Sequence, residues 1–205
     1  MFDYAEAMRR LIGDIIETCD AFRHVKASSL LVGCIKARNS DGKGLYARTV
    51  PLRFEGGSLT TQRRGREFRV PVVQHAGNEA LYIVSFCLPR FQNLPFHDKL
   101  VTIFHELYHV SPKCDGDIRR FDGANYVHTS SQERYDELMK QLATQYVERT
   151  ANPELHDFLK YTYAQLSSEY DGIRMKIFKA PKPQLVRDNL PLAVEMKQHR
   201  KGRRK

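Results

Sequence analysis

The five residues His105-Glu106-Leu107-Tyr108-His109 combine residue types and a spacing that suit metal chemistry. On a helix, positions i and i+4 lie on one face, with about 5–6 Å between their Cβ atoms. Two imidazoles at that separation can share one Zn²⁺ ion. Glu106, one position round the helix from His105, can reach a water on that ion and take its proton. The pattern therefore predicts a hydrolytic zinc site with His105 and His109 as ligands and Glu106 as general base.

A catalytic zinc ion usually has three protein ligands and one open position, so a third ligand is expected downstream. His128 is the preferred candidate, because it is an imidazole that follows a glycine-containing loop and stands just before the next predicted helix. Glu133 or Glu137 would instead give the two-histidine, one-glutamate set of thermolysin. Cys114 follows His109 too closely to reach back without an abrupt reversal. The full set of candidates is Cys114, Asp115, Asp117, Asp122, His128, Glu133 and Glu137.

Other residues near the motif could support the same chemistry. A ligating histidine generally donates its second ring N–H to a carboxylate or carbonyl. The nearby carboxylates are Asp115, Asp117 and Asp122. A hydroxyl or guanidinium group could stabilise an oxyanion. The nearby donors are Tyr126, Tyr135, Arg119 and Arg120. The sequence does not choose among these donors.

The helix predicted over residues 96–110 has the composition of a buried helix. Most of its circumference is apolar, and its polar residues form one stripe made of Asp98, Thr102, His105, Glu106 and His109. Two buried histidines and a buried glutamate would be costly without partners. A bound metal ion satisfies all three, so the burial of this helix supports the metal-site interpretation.

The remaining sequence predicts an α+β fold in the order helix, sheet, helices. An apolar stripe with steps of three and four predicts an N-terminal helix from residue 2 to about 22. The β-rich runs are residues 29–37, 44–54, 66–73 and 79–88, which predict a small mixed or antiparallel sheet of three or four strands packed on the motif helix. Two further helices are predicted over residues 131–150 and 153–168, the second with Asn152 as N-cap and Pro153 in its first turn.

Length and charge predict one domain with a basic tail. We expect a single domain over residues 1–178 and an extended, proline-containing, basic segment over residues 179–205. The net charge is +9, and residues 197–205 contribute six of the cations, so the rest of the chain carries only 9 − 6 = +3. The whole fold is therefore not a nucleic-acid-binding surface, although the tail could make non-specific contacts with nucleic acid. A smaller basic cluster consists of Arg63, Arg64, Arg66 and Arg69.

The sequence also predicts a cytoplasmic protein without membrane contact. Its longest strongly apolar stretch, residues 80–89, has about half of the roughly 20 residues that a membrane helix needs. The N-terminal segment carries acidic residues where a secretory signal would carry positive charge. The four cysteines are scattered and form no CxxC pair, which is typical of reduced thiols.

The stretch IFHELYHVSPKCDGDIRRFDGANYVHTSSQERYDELM, residues 103–139, resembles the putative phage metallopeptidase family and, more distantly, SprT-type zinc proteases. In SprT-type enzymes a histidine of an HGxxF-like segment supplies the third ligand. His128 occupies that place here, followed by Thr129 where the glycine would stand, and the CxxC zinc ribbon of many SprT-type proteins is absent. The resemblance implies a zincin-like domain with a Zn²⁺ cofactor and a protein or peptide substrate.

A different class of function stays open at this point. The chain could be a non-catalytic metal-binding or nucleic-acid-associated protein whose HExxH site is structural or vestigial. Structural zinc is normally closed by four protein ligands, whereas a catalytic ion keeps an open vertex. The sequence offers only His105, His109 and His128 as convincing ligands, which favours the enzyme.

Overall fold

Residues 1–37, 44–120 and 132–188 are described by a computed structural model. Within them the chain forms the helices α1 (Tyr4–Thr18), α2 (Phe96–Tyr108), α3 (Gln132–Arg149) and α4 (Tyr163–Glu169), and an eight-residue 3-10 helix, Pro153–Lys160. The strands are β1 (Phe2–Asp3), β2 (Leu30–Lys36), β3 (Ala47–Pro51), β4 (Thr60–Arg63), β5 (Arg66–Arg69), β6 (Val73–His75), β7 (Asn78–Ala80), β8 (Tyr82–Leu88), β9 (Ile173–Arg174) and β10 (Gln184–Asp188). The predicted α+β class is confirmed. None of the helices in these ranges has the length and apolar character needed to cross a membrane.

The predicted N-terminal helix is confirmed as α1, which begins where Asp3 caps it. The Asp3 carboxylate accepts a hydrogen bond from the Glu6 amide at 3.1 Å, so one of the free N–H groups of the first turn is satisfied. The apolar stripe of α1 is fully buried in the main core. The helix ends at Thr18, and the residues predicted to continue it form a short 3-10 turn, Asp20–Phe22.

A mixed three-stranded sheet lies at the centre of the fold, in the order β2-β8-β3. All seven residues of β8 are buried, and this strand pairs parallel with β2 and antiparallel with β3. As a result, β3 forms one edge of the sheet, and it ends at Pro51, a residue that edge strands tolerate because it lacks an N–H group.

The predicted run 66–73 does not join the central sheet. Its first four residues form β5, which belongs to a second three-stranded sheet β10-β5-β4, and its last residue, Val73, begins β6, which pairs with β7 in the described part of the chain. Pro71 lies between β5 and β6 and cannot donate to a ladder. Arg66 and Arg69, the first and last residues of β5, are both exposed, so this strand has little apolar surface to bury in the main core.

The C-terminal segment contains a strand that the sequence did not predict. Within the segment assigned to an extended tail, β10 pairs antiparallel with β5, with a bulge between Leu185 and Arg187. Residues 189–205 lie outside the described residues. The division of the chain at residue 178 stays a prediction.

The prediction of a single helix over residues 153–168 is wrong, because two separate elements occupy this range. The 3-10 helix ends at Lys160, and α4 begins after Thr162, whose side chain forms a capping box with Gln165. Lys99, which is 1% exposed, donates from Nζ to the carbonyl oxygens of Leu159 at 2.7 Å and Tyr161 at 2.8 Å. These bonds satisfy carbonyls that the interruption of the helix leaves without partners.

Asn152 does not cap the following helix as predicted, because its side chain takes part in a buried cluster around Asp14. The Asp14 carboxylate accepts hydrogen bonds from Tyr146 Oη at 2.6 Å, Thr150 Oγ1 at 2.9 Å and Asn152 Nδ2 at 2.7 Å. The first helix of the chain is thereby tied to the end of α3. Pro153 does occupy the first turn of its 3-10 helix, as predicted.

Asp14→Ala is expected to lower the free energy of unfolding by about 2–3 kcal/mol, since it removes three hydrogen bonds and leaves the buried Tyr146 hydroxyl without its acceptor. Urea denaturation followed by circular dichroism measures the loss. The matched control is Asp157→Ala, which removes an exposed ion pair with Lys160 and should cost less than about 0.5 kcal/mol. Equal losses in the two variants would contradict the role assigned to the Asp14 cluster.

Candidate active site

The two histidines of the HExxH motif lie side by side at the C-terminal end of α2. The helix ends at Tyr108, and His109 continues it as the C-cap with φ −68° and ψ −18°. The ring centroids of His105 and His109 are 4.7 Å apart, with the ring planes at 82°. His105 is half-buried and His109 is buried. The i and i+4 spacing therefore brings the two imidazoles together, as the sequence predicts.

Glu106 is buried between α2 and the edge strand β3. Its residue is 6% exposed, and Thr49 on β3 donates from Oγ1 to the Glu106 carbonyl at 2.8 Å. Burial raises the pKa of the Glu106 carboxyl to about 7, because the charged form is disfavoured away from water. In the described part of the chain, the buried Oε2 atom has no hydrogen-bond partner. Such an atom is costly unless a cation or a water satisfies it, which fits a metal site.

An aromatic wall from α3 supports His105. The Tyr135 ring lies edge-on to the His105 ring, with the centroids 5.0 Å apart, and the Tyr108 ring lies 5.5 Å from that of Tyr135. Tyr135 donates from Oη to the His105 carbonyl at 3.3 Å, and burial raises the pKa of this phenol. Tyr135, an oxyanion-donor candidate, therefore contacts the backbone and ring of His105.

Arg119 caps the C-terminal end of α2. Its amide donates to the His109 carbonyl at 2.7 Å, and its Nε donates to the Tyr108 carbonyl at 2.7 Å. The guanidinium lies 4.1 Å from the centroid of the Tyr108 ring. A cation at this position interacts favourably with the free carbonyls and the dipole of the helix. Arg120, the neighbouring oxyanion candidate, forms an ion pair with Asp117 at 3.0 Å.

Four of the candidate third ligands make contacts of their own elsewhere. The buried Cys114 sulfur accepts from the Lys26 amide at 3.4 Å. Asp115 Oδ1 accepts from the Ser111 hydroxyl at 2.6 Å. Asp117 binds Arg120 and the Gly56 amide, and Glu137 is exposed with Gln141 within hydrogen-bond distance. None of the contacts named here is with His105 or His109.

Asp122, Tyr126 and His128 lie outside the described residues, as does the side chain of Glu133. Among the side chains that are described, no group of three histidine, cysteine or carboxylate residues surrounds a common point. The assignment of His128, or alternatively Glu133 or Glu137, as third ligand stays a prediction.

A cavity of about 290 Å³ opens beside the motif. One wall is the segment Gly44–Ala47, which leads into β3, and the other is α2. His105 and Glu106 belong to the second wall, together with Val101 and Thr102. The sequence predicts neither this cavity nor the role of Thr49, because both depend on the contact between β3 and α2. The one indication of this contact in the sequence is that Thr49 lies in the run 44–54, which is predicted to be a β-strand.

With paired imidazoles beside a buried glutamate, the described site has the features of a candidate metal centre. Residues 1–153 match the family model described as Putative phage metallopeptidase, and the chain belongs to this family. The match covers α1, the central sheet, α2 and α3, so it includes every described element that positions the site. The family description implies a metal cofactor and peptidase activity. No curated protein and no solved structure matches the chain.

Thr49→Val is expected to destabilise the protein by about 1 kcal/mol, because valine has the shape of threonine but cannot donate to Glu106. Urea denaturation of the zinc-free protein measures this effect. The matched control is Thr60→Val, at an exposed position on the strand β4. A Thr49→Val protein as stable as the control would contradict the inferred contact between β3 and α2.

Proposed function

We propose that this protein is a zinc-dependent metallopeptidase that hydrolyses peptide bonds with Glu106 as general base. The observation that carries the proposal is the arrangement on α2. Two imidazoles, 4.7 Å apart between ring centroids, stand beside a buried carboxyl with an unsatisfied oxygen. Both His105 and Glu106 line the adjacent cavity. Membership of a metallopeptidase family supports the same assignment.

The donor set fits a zinc ion. His105 and His109 offer two imidazole nitrogens, and His128 is the preferred third ligand on the evidence of the sequence, with Glu133 or Glu137 as the rivals. Imidazole nitrogen is a common ligand of zinc. A zinc ion held by these residues would supply Lewis-acid polarisation of the scissile carbonyl and would lower the pKa of a water to near neutrality.

Glu106 is suited to moving the proton of the attacking water. A general base works best when its pKa lies near the operating pH, and burial raises the pKa of Glu106 to about 7. Oε2 is the oxygen atom without a partner in the described structure, so it is the atom that we assign to accept the proton. The same carboxyl then returns the proton to the departing amine. The bond from the Thr49 hydroxyl to the main-chain carbonyl of Glu106 holds this turn of α2 against β3.

The edge strand β3 and the cavity define where a peptide would lie. Extended peptides commonly bind by adding to the edge of a sheet, and β3 is the edge that contacts α2. A peptide along the segment Gly44–Ala47 would pass beside Glu106. The cavity wall contributed by Leu45, Tyr46 and Val101 would receive an apolar side chain. We therefore propose a preference for substrates with an apolar residue next to the cleaved bond.

Glu106→Gln is expected to retain about one zinc ion per chain while hydrolysis falls by about 10²–10⁴-fold, since the amide keeps the size of the carboxyl but accepts no proton. Elemental analysis gives the metal content, and a fluorogenic peptide library rich in apolar residues gives the activity. Glu148→Gln, at an exposed position on α3, is the matched control and should change neither quantity. Wild-type protein that binds no zinc, or a fully active Glu106→Gln variant, would rule out the mechanism.

His128→Ala is expected to weaken zinc binding by at least about 10-fold, as His105→Ala and His109→Ala should, because each removes one of three ligands. Competition with a chromogenic chelator measures the affinity without any need for activity. Glu133→Ala and Glu137→Ala test the alternative set in the same assay. Undiminished affinity in His128→Ala, together with a loss in one of the glutamate variants, would replace His128 with that glutamate.

A further inference from the structure

The hairpin formed by β4 and β5 concentrates positive charge at its tip. Arg63 and Arg66 are directly opposite each other in the register, and Arg64 and Gly65 form the two-residue turn between them. All three arginines are exposed. Among the described residues, no carboxylate forms an ion pair with Arg63 or Arg64. Of these cations, the exposed side chains of Arg63 and Arg64 can therefore meet an anionic partner.

Arg64 occupies a backbone conformation that arginine rarely adopts. Its φ is +51°, and Gly65 follows with φ +74°. Two successive positive φ values define a type I′ turn, whose first position favours asparagine, aspartate or glycine. Arginine at this position costs stability relative to asparagine. Folding of the hairpin therefore does not explain the arginine, which points instead to a role for its charge.

A depression with aromatic walls lies beside the arginines. Phe54 and Phe68 line it together with Thr61, Arg63 and Pro183, and its volume is about 230 Å³. Both phenylalanines are half-buried, and the Arg63 guanidinium lies 5.9 Å from the centroid of the Phe54 ring. Since strand residues alternate between faces, Thr61 and Arg63 lie on the same face as Phe68. The result is an apolar floor with a cationic rim.

We propose that the β4–β5 hairpin binds single-stranded nucleic acid, with phosphates at Arg63 and Arg64 and a base stacked on Phe68 in the depression. Charge complementarity selects a polyanion, and the aromatic floor selects one that carries exposed bases. A base in a duplex is already stacked and does not offer its face to Phe68. This interaction surface does not depend on the peptidase activity proposed for α2.

The first test compares Arg64→Asn with wild type in the full-length protein. Fluorescence anisotropy measures affinity for an oligothymidylate of about 20 nucleotides at two salt concentrations. Loss of one phosphate contact should weaken binding about three- to tenfold and reduce the slope of log K against log salt by about 0.7. The melting temperature should stay the same or rise, because asparagine suits the turn. A loss of affinity without a loss of melting temperature would show that Arg64 acts in binding and not in the stability of the hairpin.

The matched control is Arg10→Asn, which removes an equal charge from an exposed position on α1. It should leave the affinity almost unchanged. Wild-type affinity in Arg64→Asn, or an equal loss in Arg10→Asn, would overturn the proposal, since general electrostatic attraction would then explain all binding.

The second test asks whether bases are stacked. Phe68→Leu should weaken binding of the oligothymidylate at least about fivefold and leave binding of inorganic polyphosphate unchanged, because only the first ligand has bases. The same question can be asked of the wild-type protein. An abasic oligonucleotide of equal length should bind more weakly than the oligothymidylate, and so should a duplex. Equal affinity for the thymidylate and the abasic strand would overturn base stacking and, with it, the proposal.

Discussion

Burial of the Glu106 carboxyl beside two imidazoles is the constraint on which the rest of the site depends. A carboxyl in this position is costly to ionise, because burial disfavours its charged form and raises its pKa. The helix cannot turn to expose it, because Leu100, Ile103 and Leu107 are fully buried in the core on its other faces. Packing of α2 therefore forces Glu106 into the contact with β3. The apolar packing of α2 thus holds the Glu106 carboxyl, which is costly to ionise, in one position.

Support for this arrangement comes from outside the motif. Tyr82, at the start of the buried strand β8, accepts a hydrogen bond from the Gly116 amide at 2.9 Å and donates to the Asp117 carbonyl at 2.9 Å. The loop that follows His109 is thereby fixed to the central sheet. Arg119 in the same loop then caps α2. Hydrogen bonds to core elements, rather than loop length, determine where the chain goes after the second histidine.

The sequence predicts what depends on local periodicity and misses what depends on distant partners. The helix α2 and the adjacency of His105 and His109 follow from spacing alone. The break before Thr162 does not, because Lys99 satisfies carbonyls about 60 residues away in sequence. The edge position of β3, which brings Thr49 to Glu106, depends equally on tertiary structure. The run 66–73 looked like one strand because periodicity does not show which sheet a strand will join.

The candidate substrate edge, β3, is connected to the β4–β5 hairpin by the short segment 52–59. Hydrogen bonds fix this segment to the loop after His109. Between β3 and β4, the Arg53 amide donates to the Gly116 carbonyl at 3.0 Å. Gly116 has φ +88°, and a Cβ atom there would lie 2.5 Å from Arg53 Cγ, so only glycine permits this approach. The Gly56 amide also donates to Asp117. The segment that leaves the candidate substrate edge is thus bound to the loop after His109 before it reaches the arginine hairpin. A ligand held on the hairpin would therefore be positioned relative to the candidate substrate edge by the same contacts that fix the loop after His109.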